Sequence, residues 1–315
     1  VAAEPSDRRP LGRTGLLVSP VCIGTSPLAS MPEHYGYEVG RERAEATISA
    51  ALAGPFNFID TSNNYGDGAA ERSIGRVLAA AGGLPPGYVL ATKADADAQT
   101  GDFSGERVRR SVGESLERLG LDRVQLMYLH DPELHLTFAG AMAPGGAVEA
   151  LAELRDQGVA GHLGVAGGDA AMLGEFIATG VFDVALCHNK FTLIDRSAEP
   201  LMDDAVRRGV AFVNAAPYGG GILAQGPDAQ PRYAYEQAGP AVHDAVRALQ
   251  RACAAHGVPL AAAALQFSAR DPRVTSTVVG VSAPSRIAET ARLLTQHVPE
   301  ELWAELALLA IPPAG

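Results

Sequence analysis

A chain of 315 residues with a formal net charge of -11 has no broad positive footprint, which argues against nucleic-acid binding. Its 47% hydrophobic and 19% charged residues suit a soluble globular protein with a large core, and no uninterrupted apolar stretch approaches the roughly 20 residues of a membrane span. Cys22, Cys187 and Cys253 are too few and too widely spaced for a disulfide framework or a zinc motif, and VAAEPSDRRP lacks an apolar signal core, so buried thiols and a cytoplasmic setting are expected.

The first segment, RPLGRTGLLVSP (9–20), reads as a hairpin, after which strand-like and helix-like runs alternate. VCIGTS (21–26) precedes a helix over 40–54 that places Ala44, Ile48, Ala51 and Leu52 on one face. FNFID (56–60) precedes a helix from about 69 to 81. YVLATK (88–93) precedes a helix over 104–120, where Val108, Val112, Leu116 and Leu119 form one stripe stopped by Gly120. VQLMYLH (124–130) is followed by a helix over 147–158, HLGVA (162–166) by one over 169–180, and DVALCH (183–188) by one over 197–209. VAFVNAAP (210–217) leads into longer helical segments across 240–270, and TSTVVGV (275–281) into a helix over 285–295. An amphipathic segment over 299–310 follows, with Trp303 as its packing anchor.

These strands are apolar throughout rather than alternating, as strands buried in a parallel sheet are. Eight βα units in a chain of this length predict a single (β/α)8 TIM barrel spanning 1–315, with an N-terminal hairpin and an extra C-terminal helix. A doubly wound sheet would carry a G-x-G-x-x-G turn after an early strand, and GTSPLAS is not one.

Barrel enzymes work at the C-terminal ends of their strands. Here the second run ends in Asp60, with Tyr65 in the following loop, the third in Lys93 and the fourth in His130. Each alone has an ordinary reading as a turn cap, a packed aromatic, a solvated lysine or a hydrogen-bonded turn residue. Their coincidence on neighbouring strand ends favours a site. A free phenol with a pKa of about 10 is a poor proton carrier near neutrality. A neighbouring ammonium is expected to lower that pKa, a carboxylate to hold the ammonium, and a histidine to bond a substrate oxygen. No additional cluster of carboxylates is evident at the strand ends, which argues against a metal-dependent sugar isomerase and for a site without metal.

DTSNNYGDGAAERSIG, carrying Asp60, Tyr65, Gly66, Gly68, Glu71 and Gly75, together with ATK at Lys93 and YLH at His130, resembles the aldo-keto reductase superfamily. The resemblance implies a tetrad of Asp60, Tyr65, Lys93 and His130 and hydride transfer with NADP or NAD, bound extended at the barrel mouth. VVGVSAPSRIAET is similar to the family's adenosine-phosphate segment, which brings in Gly280, Ser282, Arg286 and Glu289. A helix start with an arginine suits a phosphate. Val281 replaces a lysine found in many NADPH-preferring relatives, and Thr290 replaces a usual asparagine, so strict NADP preference is not implied. Thr25, Asp60, His188, Ala215, Pro217, Tyr218 and Gly219 complete the candidate cofactor set. His188 takes a common glutamine position, and GVAGG (164–168) stands where relatives often have G-V-S-N.

SPLASMPEHYGY, LGVAGG, CHNKFTLIDRSAEPL and NAAPYGGGIL together resemble the D-threo-aldose 1-dehydrogenase/L-fucose dehydrogenase branch, which implies oxidation of an aldose at its C1 hemiacetal to a lactone. The alternatives are a carbonyl reductase of a non-sugar metabolite and a non-catalytic nucleotide-sensing subunit. Met31, His34 and Tyr35, with Tyr65 and His130, are the candidate substrate contacts, and Tyr37, 131–138 and 231–237 are further candidate lining. The expected partner is a small sugar or carbonyl compound, with no nucleic-acid or membrane partner. Nothing in the sequence sets an oligomeric state.

Overall fold

Eight parallel strands close into a barrel in a computed structural model of the chain, which describes residues 3–234 and 236–309. They are β1 (Val21–Gly24), β2 (Phe58–Asp60), β3 (Val89–Ala94), β4 (Val124–His130), β5 (Ala160–Gly167), β6 (Val184–His188), β7 (Ala211–Ala215) and β8 (Val274–Gly280). Each strand pairs with the next in chain order, and β8 returns to β1 through Thr277↔Val21 to Gly280↔Gly24.

Both faces of this sheet are buried, which is why its strands read as continuous apolar runs. Alternate residues go to different places. Phe58, Val89, Ala91, Leu126, Tyr128, Val184, Leu186, Ala211 and Val213 fill the barrel interior, while Ile59, Leu90, Met127, Leu129, Ala185 and Phe212 pack beneath the helices. Continuing the interior series by one step reaches Asp60, Lys93, His130, His188 and Ala215. The polar rim is thus the top layer of the interior stack, and strand periodicity decides which side chains face the mouth. The hairpin that pairs Arg9–Pro10 with Leu17–Val18 contributes Leu11 and Val18 to the interior layer, sealing the opposite end.

Two expected elements differ. The run over 210–217 stops as a strand at Ala215, because Ala216 turns the backbone to φ 57. The helical stretch over 240–270 divides into Pro240–Ala255 and Leu260–Ala269, bent by 100° where Gly257 and Pro259 interrupt it. Among the described residues, no single helix is long and apolar enough to cross a membrane. The loop after β7 also carries a short hairpin pairing Arg232–Tyr233 with Glu236–Gln237, and residue 235 of the 231–237 segment lies outside the described residues. All three cysteines are buried and unpaired, and the last helix, Glu300–Leu309, holds Trp303 under the Arg270 guanidinium at 4.3 Å.

Helix Ala69–Ala81 packs on helix Gly105–Leu119 through Gly75, where an added Cβ would lie 2.1 Å from the Arg118 carbonyl oxygen. Glu71, fully buried one turn earlier, accepts from Thr92 Oγ1 at 2.6 Å and Arg118 Nη1 at 3.3 Å. Gly75→Ala should therefore destabilise the fold by about 1–3 kcal/mol through overpacking. Gly113 lies on the exposed face of the second helix with nothing near its missing Cβ. Gly113→Ala should stabilise by about 0.5–1 kcal/mol. Urea midpoints of the two variants check both signs.

Candidate active site

Lys93 is only 2% exposed at the top of the barrel interior. Its Nζ lies 2.6 Å from Asp60 Oδ1, 2.7 Å from the Thr61 carbonyl oxygen and 3.1 Å from Tyr65 Oη. An ammonium has three N–H groups, and all three are used. The Tyr65 oxygen is thereby an acceptor from lysine, so its own O–H is left to point into the mouth. The sequence-derived tetrad is assembled as adjacent strand ends, with the Tyr65 ring edge-on to His130 at a centroid distance of 5.8 Å.

His130 is held by residues that the sequence reading passed over. Its Nδ1 lies 2.6 Å from Asp95 Oδ1, and Asp95 Oδ2 accepts from Ser62 Oγ at 2.5 Å and from the Asn64 N–H at 3.0 Å. A carboxylate at Nδ1 puts the proton there, so Nε2 donates to a substrate oxygen only in the charged imidazolium. Burial alone would depress the imidazolium, but Asp95 and Asp131 outweigh it and His130 titrates above its ordinary value. Asp131 is held below the usual carboxylate range; burial opposes this, and His130 and His188 overcome it. Its Oδ2 lies 3.6 Å from His130 Nε2 and its Oδ1 3.3 Å from His188 Nε2.

Two expectations are corrected here. Carboxylates do cluster at the strand ends: Asp60, Asp95, Asp131 and Glu133 all reach the mouth, and Asp131, Glu133 and His188 each present a ligand atom within 4.8 Å of the others. The signal for them lay one to three residues beyond the apolar runs, in KAD and HDPE. The second correction concerns Tyr65. Its phenol is not lowered by Lys93; burial pushes it well above its ordinary value, reinforced by Asp60, Tyr35, Asp131 and Asp95. Lys93 is committed to Asp60, so its field at the phenol is largely cancelled. Burial likewise raises the Asp60 carboxyl, with Lys93 opposing.

The candidate cofactor residues divide by position. Gly280 ends β8, Ser282 is half-buried in the loop after it, and the helix Ser285–Thr295 has no acidic residue in its first turn. Its N-terminal N–H groups suit an anion. Arg286 is exposed and paired with Glu289 at 2.6 Å. Tyr218 lies near both, its phenol raised by burial and by Glu289 with Arg286 opposing, so the loop after β7 with Pro217 and Gly219 faces the β8 segment. Ala215 is the top interior residue of β7. Thr25 is committed elsewhere: its Oγ1 and N–H both donate to the Asp60 carbonyl at 3.0 Å, tying β1 to β2. His188 faces Asp131 across the mouth.

Of the candidate substrate contacts, Tyr35 donates to Ser26 Oγ at 2.7 Å and bears electrostatically on Tyr65. Met31 is half-buried at the start of the turn Pro32–Tyr35. His34 is an exposed residue of that turn, its Nδ1 3.3 Å from Glu33 Oε1.

The model of the Aldo/keto reductase family matches residues 20–310. The chain belongs to this family. It is similar to the L-galactose dehydrogenase of Arabidopsis thaliana, 32% identical over 91% of this chain and 88% of that protein. It is similar also to a D-threo-aldose 1-dehydrogenase of a Pseudomonas species, 30% identical over 86% and 89%, and to a pyridoxal 4-dehydrogenase of Microbacterium luteolum, 28% identical over 96% and 97%. An aldo-keto reductase from Bacillus halodurans, solved in a holo form, shares the fold with a TM-score of 0.80 at 22% identity, over 97% of this chain and 96% of that one. This family member is therefore an oxidoreductase using a nicotinamide cofactor. Its residues fit that group: the acid-free helix terminus beside Arg286 suits phosphate, and a buried, donor-less carboxylate oxygen of Glu133 is left at the mouth.

Asp95→Asn should lower the His130 titration, because the partner that holds the imidazolium becomes neutral. The His130–Asp95 attraction stabilises the fold below the free histidine value of about 6.5 and is lost as pH rises through the raised folded value. Histidine NMR titration of wild type and variant checks this; an unmoved His130 curve would show that Asp95 does not set its charge.

Proposed function

We propose that this chain is an aldose 1-dehydrogenase that oxidises the C1 hemiacetal of a sugar to its lactone and accepts NAD at least as readily as NADP. The observation that carries this reading is the three-way lock on Lys93, which leaves the Tyr65 oxygen as the group poised to exchange a proton with the reacting oxygen. When bound, the nicotinamide supplies a hydride acceptor. Lactone formation then requires loss of hydride from C1 and of the proton from the C1 hydroxyl. Tyr65 takes that proton as its phenolate, the minor form at neutral pH, and Lys93 keeps its hydrogen bond to the oxygen through the transfer. His130, charged through Asp95, orients the same hydroxyl oxygen through Nε2.

Two features support a polyhydroxylated substrate. Asp131, His188 and Tyr35 give the mouth several groups able to bond sugar hydroxyls. The matched dehydrogenases of L-galactose and D-threo-aldoses are at least 30% identical. The cofactor reading rests on Arg286, whose pairing with Glu289 leaves no net charge for an added 2′-phosphate. A panel of aldoses and non-sugar aldehydes, each with NAD and with NADP and followed by nicotinamide absorbance, should show lactone formation from aldoses with NAD. Turnover confined to apolar carbonyls would replace this reading with that of a non-sugar reductase.

Tyr65→Phe should lose about 10²–10⁴-fold in kcat, the usual contribution of a general acid/base group, while binding cofactor normally. Because the phenol is raised, sugar oxidation should climb with pH across the neutral range with no plateau below about 10, the value of a free phenol. Reduction by the same residue should be flat there, since the phenol stays protonated. A plateau in oxidation near neutrality would assign the proton to another group.

A further inference from the structure

Glu133 lies in the loop after β4, three residues beyond His130, and crosses to the end of β5. Its Oε1 accepts the Gly168 N–H at 2.5 Å and the Asp169 N–H at 3.1 Å. Its Oε2 is buried and receives no hydrogen bond among the described residues. Two glycines make room for this carboxylate. A Cβ on Gly167 would lie 2.5 Å from Oε2, and one on Gly168 would lie 2.9 Å from His188 Cε1. The carboxylate thus fills the space that a side chain at 167 would need, and it does so beside His188, which bonds Asp131, which in turn faces His130.

A buried acceptor without a donor is unfavourable, and a ligand bringing N–H or O–H relieves it. Two carboxylates, Glu133 and Asp131, lie on this side of the mouth. Lys190 lines the same cavity of about 490 Å³ as Glu133. A nicotinamide carries an amide with two N–H groups. Its ring is a cation when oxidised and neutral when reduced, so a neighbouring negative charge distinguishes the two states.

We propose that Glu133 accepts the amide N–H of the nicotinamide and that its charge makes this site bind the oxidised cofactor in preference to the reduced one, which favours loading of NAD⁺ and release of NADH. The inference rests on the dehydrogenase reading above. It adds that cofactor exchange is biased by the binding site, separately from the proton transfer at Tyr65.

The test is binding, not turnover. NAD⁺ and NADH are titrated by calorimetry into the ligand-free protein, with chelator present so that no cation occupies Asp131, Glu133 and His188. Glu133→Gln keeps an oxygen for the backbone N–H groups and removes the charge. The ratio of the NAD⁺ to the NADH dissociation constant should rise about tenfold, the lower end of what one opposite charge does to an ionisation equilibrium. Lys190→Met should move the ratio the other way. An unchanged ratio in Glu133→Gln overturns the inference, as does a rise only in the KM for sugar, which would make Glu133 a sugar contact. Wild type that binds neither form removes the cofactor reading and this inference with it, whereas binding of both with an unmoved ratio removes this inference alone.

Discussion

A buried ammonium with all three of its hydrogens placed is the constraint on which the rest of the structure depends. Lys93 is 2% exposed, and a charge so far from water is tolerated only when it is paired and hydrogen-bonded. Its partners come from the strand end at Asp60, the backbone at Thr61 and the loop at Tyr65. They converge only if β2 and β3 keep the register that pairs Asp60 with Ala91. Removing one member of such a buried pair typically costs about 3–5 kcal/mol, so barrel closure and chemistry are tied to the same bonds. Thr25 reinforces the arrangement by fastening β1 to the carbonyl of Asp60.

Around this centre the mouth is a field of alternating charge. Asp60 faces Lys93, Asp95 faces His130, and Asp131 lies between His130 and His188. The carboxylates hold the histidine as a donor, and burial, reinforced by them, raises the phenol, which is the opposite of what a lone lysine would do to it. A phenol kept neutral is a good proton donor to an alkoxide and a reluctant acceptor from a hydroxyl. Dehydrogenation by such a residue proceeds through its minor phenolate form, whereas the carboxylate at Glu133, on the far side of His188, bears on the exchange of oxidised for reduced cofactor.

The motif glycines and acids have a different part from the one their proximity to Tyr65 suggests. Gly75 and Glu71 serve the contact between two helices, where the Arg118 carbonyl presses on one and Arg118 Nη1 bonds the other. That contact positions the loop from which Tyr65 projects, so a sequence signature that looks catalytic is in part a packing signature.

The alternation of runs, the absence of a dinucleotide turn and the rule that barrel chemistry lies at strand ends were enough to read the barrel and to pick Asp60, Tyr65, Lys93 and His130 from the sequence. These features are local or periodic, and a strand of period two carries them in its own residues. Asp95 was not legible in the same way, and Asp131 and Glu133 only as members of a candidate lining loop over 131–138. They sit just past the apolar runs, where a carboxylate ordinarily reads as a turn residue, and their roles depend on partners 35 to 57 positions away in the chain. The sign of the Tyr65 shift was likewise decided only in three dimensions. Lys93 alone predicts a lowered phenol, but burial and the summed charge of four neighbouring groups determine the outcome, and only the folded barrel sets both.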